Sequence, residues 1–168
     1  MKLTQRTAIL ITAAATWLAL AATAATASPP SVQGTAGAAK GCITVTATIP
    51  VGIQPSGVAA NPKTNTIYVP NSFDSTVSVI NGRTNTVTTA IPVGSTAIPA
   101  GAAANPKTNT IYVANFDSNT VSVISGRTST VTGTIAVGAT PVGVTVNPLT
   151  STVYVTNFRG KTVSVISA

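Results

Sequence analysis

The sequence contains no histidine and no glutamate. Histidine is the commonest general base and metal ligand near neutral pH, so its absence removes most acid–base and zinc chemistry. Only two acidic residues, Asp74 and Asp117, occur in 168 positions. Charged side chains make up 7% of the chain, against about 25% in an ordinary soluble protein. Such a chain is either membrane-associated or built from strands that bury both faces. Beyond residue 27, no run of 18 unbroken apolar residues occurs, which excludes a second spanning helix. Cys42 is the only thiol, so no disulfide can form within the chain. Ala39-Lys40-Gly41 before it makes a poor lipidation signal, and Cys42 reads as a small buried hydrophobe. There is no glycine-rich phosphate loop, serine elbow or cysteine pair, so no cofactor is expected.

What is present begins with an export signal. Lys2 and Arg6 precede an apolar stretch from Ala8 to about Ala22, and Ala25-Thr26-Ala27 offers small residues for cleavage before Ser28. Residues 1–27 therefore read as a signal peptide. The alternative is a retained anchor, since Thr7 to Ala25 nearly reaches the ~20 residues that span a bilayer. Residues 28–41 read as a flexible linker. A secreted, cell-surface or periplasmic location follows.

The remainder, 43–168, is a repeat. Asn61-Pro62, Asn105-Pro106 and Asn147-Pro148 recur at intervals of 44 and 42. Tyr68, Tyr112 and Tyr154 keep the same spacing, as does V-S-V-I from Val77, Val121 and Val163. A threonine-alternating block starts at Thr44, Thr86 and Thr130. Fixed-period similarity of this length marks a repeat architecture. Each unit holds four strand signals: Val58 to Ala60, Thr66 to Val69, Thr76 to Ile80, and Val87 to Ile91 in the middle copy. All are short, β-branched and bounded by Asn, Pro, Gly or Ser. Asn81-Gly82 signals a tight turn with two positive-φ residues. Four short strands per unit describe a propeller blade, so the expected fold is all-β and β-propeller-type, with three tandem four-stranded blades.

The tetrapeptides Tyr68-Val69-Pro70-Asn71, Tyr112-Val113-Ala114-Asn115 and Tyr154-Val155-Thr156-Asn157, with T-V-S-V-I and the I-P-V-G ending, resemble the YVTN β-propeller repeat family. The resemblance covers residues 43 to 168. It implies a propeller in an exported or cell-surface protein, acting as a binding or scaffold module without a shared catalytic site. Family propellers commonly have seven blades, and this chain has three.

The repeats begin with a fourth-type strand, Ile43 to Ile49, and end on a third-type strand, Val163 to Ile166. These ends are complementary. Three blades fall short of the about four to eight that close a ring. Leaving ~500 Å² of apolar face wet would forgo roughly 12 kcal/mol at ~25 cal/mol per Å². Two readings follow: a head-to-tail homodimer forming a six-bladed ring, or a piece of a longer propeller.

Candidate site residues are few. Lys63 and Lys107 fall in first-to-second-strand turns, and Arg83 and Arg127 in third-to-fourth-strand turns. An up-and-down blade puts both turn types at one end. That end would carry four cations, a binding face for nucleic acid or another anionic polymer or surface ligand. The plainer reading is that these charges keep a Thr- and Ala-rich protein soluble. Asp74 and Asp117 lie in second-to-third-strand turns and could act as an acid–base pair in a hydrolase or lyase. Arg159 replaces them in the third copy, and Asp in a polar turn is more often structural. The same turns are too sparse in carboxylates for calcium. Phe73, Phe116 and Phe158 recur there and could line a binding rim, but plugging the gaps between blades is the favoured expectation. The whole reads as a non-enzymatic binding module.

Overall fold

The computed structural model describes residues 43–167, so the signal peptide, the linker and Cys42 lie outside the described residues. Among those described there is no helix. Eleven strands form three antiparallel sheets. The first sheet contains β1 (Ala59–Asn61), β2 (Thr66–Asn71), β3 (Thr76–Asn81) and β4 (Thr86–Pro92). The second contains β5 (Pro99–Asn105), β6 (Thr110–Asn115), β7 (Thr120–Ser125) and β8 (Thr130–Ala136). The third has three strands, β9 (Pro141–Asn147), β10 (Thr152–Asn157) and β11 (Thr162–Ser167). In each sheet, sequence neighbours are hydrogen-bonded neighbours. All four strand signals of the repeat become strands at their expected places.

The turns explain why the period is so regular. Four-residue turns join the strands, and the last residue of each takes a left-handed conformation: Asn65, Ser75, Asn85, Asn109, Asn119, Ser129, Ser151 and Lys161. Asn tolerates that region better than most residues, which accounts for four of the eight. The expected tight turn at Asn81-Gly82 is corrected here. Asn81 ends β3, and the positive φ of 55° falls on Asn85. The Asn81 side chain accepts hydrogen bonds from the Arg83 and Thr84 amides at 2.8 and 3.3 Å. This Asx turn shapes the chain where a two-residue hairpin was expected. Asn61, Asn105 and Asn147 do the same ahead of each proline, accepting from the amide two residues on at 3.1, 3.0 and 3.0 Å.

The asparagine of each Y-V-x-N unit has a second role. Asn71 is fully buried at the end of β2 and donates to Thr76 Oγ1 at 3.1 Å and Ser78 Oγ at 2.9 Å. Asn115 donates to Thr120 and Ser122, and Asn157 to Thr162 and Ser164, at 2.8 to 3.1 Å. The Y-V-x-N and T-V-S blocks recur together because one is bonded to the other.

The sheets stack face to face in series, closest at β1, β5 and β9. Tyr68, Val77, Val79 and Ile91 of the first sheet meet Ile111, Val113 and Ile124 of the second. Tyr112 and Val121 of the second meet Val153 and Val155 of the third, with Val123, Val144, Val146 and Ile166 around them. Alternate residues of a strand point to opposite faces, so the second sheet is apolar on both. Burying each Val, Ile or Tyr side chain contributes about 1.5–3 kcal/mol. The segment over 43–49, expected as a strand, carries no ladder. Its side chains are exposed from Ile43 to Thr48, and it pairs with none of the described strands.

Candidate functional site: a basic end and a phenylalanine-bearing end

The β1–β2 and β3–β4 turns lie at one end of each sheet and are bonded to each other. The Gly82 amide donates to the Asn65 carbonyl at 2.8 Å, and the Gly126 amide to the Asn109 carbonyl at 2.8 Å. A Cβ at Gly82 would stand 2.5 Å from Asn65 Oδ1, so a side chain there would part the two turns. Lys63 and Arg83 therefore sit on adjoining turns of the first sheet, and Lys107 and Arg127 on adjoining turns of the second. All four side chains are exposed.

Neighbouring sheets are tied at the same end. Asn61 Nδ2 donates to Asn109 Oδ1 at 2.8 Å, and Asn105 Nδ2 to Ser151 Oγ at 3.4 Å. The Lys107 ammonium donates to the Leu149 carbonyl at 3.2 Å, so it reaches the third sheet's turn. The row of cations stops there, since Leu149 stands where Lys63 and Lys107 stand in the earlier copies and is 81% exposed. The structure thus brings the four predicted cations to one end, on turns held by backbone and side-chain bonds.

The opposite end is different. The turns of Phe73, Phe116 and Phe158 lie there, each phenylalanine amide bonded to the segment entering its sheet: to the carbonyls of Ile53, Ile98 and Thr140 at 3.3, 2.8 and 2.8 Å. The expected plugging of inter-sheet gaps is corrected for Phe73 and Phe158, whereas Phe116 is half-buried. Phe73 and Phe158 are each 73% exposed, and Ile53 and Ile98 are exposed with them. The Phe73 and Phe158 rings project from turns beyond the last cross-strand pair. The period of the phenylalanines was visible in sequence, where a rim was the less favoured of two readings.

The acidic pair is not assembled into one site. The Asp74 carboxylate accepts a hydrogen bond from the Ile53 amide at 2.7 Å, anchoring the segment before β1. Asp117 lines an open cleft of about 440 Å³ with Ser95, Thr96, Ala97, Ile98 and Ser118, to which Asp74 does not contribute. The cleft exists because this copy of the repeat carries two extra residues between Ile91 and Gly101, which also makes its interval 44 where the next is 42. Among the described residues, no group of three or more His, Cys, Asp or Glu gathers. Burial raises the Tyr68 and Tyr112 phenols above their ordinary value of 10.0. Both lie between sheets and face no ligand site.

No family model matches the chain. A PE-PGRS family protein of Mycobacterium tuberculosis (strain ATCC 25618 / H37Rv), PE_PGRS18, is 65% identical over 34 residues. Those residues are 20% of this chain and 7% of that protein. Among solved structures, Kuenenia stuttgartiensis hydrazine synthase is similar over 76% of this chain, with a TM-score of 0.65 and 26% identity. A functionally unknown protein from Desulfotomaculum acetoxidans DSM 771 is similar over 70%, with a TM-score of 0.57 and 20% identity. This chain spans 36% and 43% of those two chains, so it resembles a part of each.

Proposed function

We propose that this chain is an exported, non-catalytic β-propeller-type module of the YVTN kind that binds or scaffolds at the cell surface. The observation that carries the reading is the division of labour within each repeat. The inner strands serve packing and the buried asparagine bonds, and every charged side chain among the described residues lies on a turn at one of the two ends. Propeller-type proteins present such turns as their binding surface. The basic start and small-residue site of residues 1–27 support export. The backbone partner of Asp74, and its separation from the Asp117 cleft, support a structural role for both carboxylates. The test of the non-catalytic reading is an activity screen against glycosidic and ester substrates. Turnover that is lost in the Asp74→Asn, Asp117→Asn double variant would overturn it.

A second reading is favoured by the bonded turns of the basic end, which hold Lys63, Arg83, Lys107 and Arg127 in a fixed row. The partner would be a polyanion, either nucleic acid or an acidic envelope polymer. Such binding weakens as salt releases the advantage of displaced counterions. Heparin, polyphosphate and duplex DNA are suitable probes. Reversing all four charges to Glu should abolish retention on each at low salt while leaving the β-sheet circular dichroism unchanged. Undiminished, salt-sensitive retention by the variant would remove these residues from the binding face.

A further inference from the structure

We infer that the open face of the third sheet is a docking surface for a second copy of this chain, joined head to tail, with the 44–50 segment of that copy becoming the fourth strand beside β11. The inference rests on the blade reading above and adds the partner.

The first argument is equivalence of faces. Inside the chain, the face made by Tyr68, Val77 and Val79 is covered by Ile111, Val113 and Ile124. The face made by Tyr112, Val121 and Val123 is covered by Val153, Val155 and Ile166. The third sheet repeats the covered face as Tyr154, Val163 and Val165, here 38, 55 and 60% exposed. The first sheet repeats the covering residues as Ile67, Val69 and Ile80 on the side turned away from the second sheet, where Ile67 and Val69 are half-buried and Ile80 is buried. The chain therefore repeats both halves of an interface that it forms twice within itself, and the third sheet's half stands open. These halves lie at opposite ends of the stack, so one chain cannot bring them together.

The second argument is the missing strand. β11 pairs only with β10, whereas β3 and β7 each pair on both sides. Residues 44–50, T-V-T-A-T-I-P, match β4 and β8 position for position and have no partner in the ladder. The β3–β4 register fixes how they would sit. Val77 pairs with Ile91 and Val79 with Thr89, so Val163 would face Ile49 and Val165 would face Ala47. The extra residue that bulges between Thr89 and Val87 is threonine, and position 46 of the incoming segment is also threonine.

The third argument is a glycine. A Cβ at Gly57 would stand 2.7 Å from the Ala100 carbonyl of the second sheet, and one at Gly101 would overlap the Val142 carbonyl of the third. Gly143 occupies the same place in the third sheet, where the nearest atom is the side chain of Thr156 in its own sheet. Close backbone approach requires glycine at the first two positions. At the third the same room is open on the face away from the second sheet, and residues 56–57 of a second copy are the equivalent neighbour. Two copies give six sheets, inside the about four to eight that close a propeller. A heterologous contact that closes makes a ring and leaves no edge for a filament.

Mixed cysteine cross-linking of the full chain tests this. On a Cys42→Ser background, Ile49→Cys protein and Val163→Cys protein are oxidised separately and together. The expected result is a two-chain product only in the mixture, with a light-scattering mass of two chains. Tyr154→Asp should reduce that mass to one chain while the β-sheet circular dichroism remains. A one-chain mass for the unaltered protein overturns the inference. So does a cross-link that closes within a single Ile49→Cys, Val163→Cys chain, or an assembly of three or more copies. Polyanion retention at the basic end reads independently of mass, so failure here is distinguishable from failure there.

Discussion

Strands β7 and β11 have the same sequence, T-V-S-V-I-S, and different surroundings. In β7, Val121 is fully buried, because the second sheet has a neighbour on each face. In β11, the equivalent Val163 is 55% exposed. The tyrosines show the same contrast: Tyr112 is 4% exposed and Tyr154 38%. The hydrogen bonds from the Y-V-x-N asparagine are alike in both sheets. Local sequence therefore fixes the strand, its turn and its asparagine bonds, whereas burial depends on which neighbour stands beside the sheet.

The largest expected effect comes from charging the two identical valines. Val121→Asp buries an uncompensated carboxylate and should cost about 3–5 kcal/mol in chemical denaturation. Val163→Asp should cost less than about 1 kcal/mol in dilute single chains, and it should abolish any head-to-tail assembly measured by light scattering. Equal large losses at all concentrations would mean that the third sheet is covered within the chain.

Next come the asparagines. Asn115→Ala removes a donor shared by the buried Ser122 hydroxyl and the half-buried Thr120 hydroxyl and should destabilise by about 1–3 kcal/mol. Asn157→Ala should cost about the same, since Thr162 and Ser164 replace Thr120 and Ser122 at similar distances. A much smaller loss at Asn157 would show that the outer strand of the third sheet frays before the whole unfolds. The glycines sharpen the comparison further. Gly101→Ala drives a methyl into the neighbouring backbone and should cost about 1–3 kcal/mol. Gly143→Ala meets only the Thr156 side chain in the single chain, and should cost under about 1 kcal/mol there.

The smallest effect is in pH. The raised pKa values of Tyr68 and Tyr112 mean that the fold favours their neutral forms. The unfolded chain loses these protons first, near the ordinary value of about 10. Their contribution is thus complete below pH 10 and is lost as pH rises through the folded values. Urea midpoints should hold constant from pH 7 to 9.5 and fall above 10, and Tyr68→Phe should flatten part of that fall.

Much of this was legible in sequence. The spacing of Asn-Pro, Y-V-x-N and T-V-S-V-I gave the strands, because turn chemistry and β-branched alternation are local properties. It also placed Lys63, Arg83, Lys107 and Arg127 at one end, since the ends of a meander alternate. The turn at Asn81-Gly82 was misjudged because a dipeptide does not reveal which of four turn residues takes the left-handed conformation. The Phe73 and Phe158 rim was ranked below plugging because an aromatic repeat looks the same whether its rings are packed or projected. The cleft of Asp117 was hidden in a two-residue insertion whose consequence depends on the neighbouring turn.

By itself, then, the sequence determined three units of antiparallel strands, their turns and the basic character of one end. Those follow from hydrogen bonds and steric limits within some ten residues. Only the tertiary structure decided that Val121 is buried and Val163 is not, that Asp74 and Asp117 do not converge, and that the 43–49 segment lacks a partner. Each of these depends on what lies across a sheet face or beside a sheet edge, and identical residues cannot encode different neighbours.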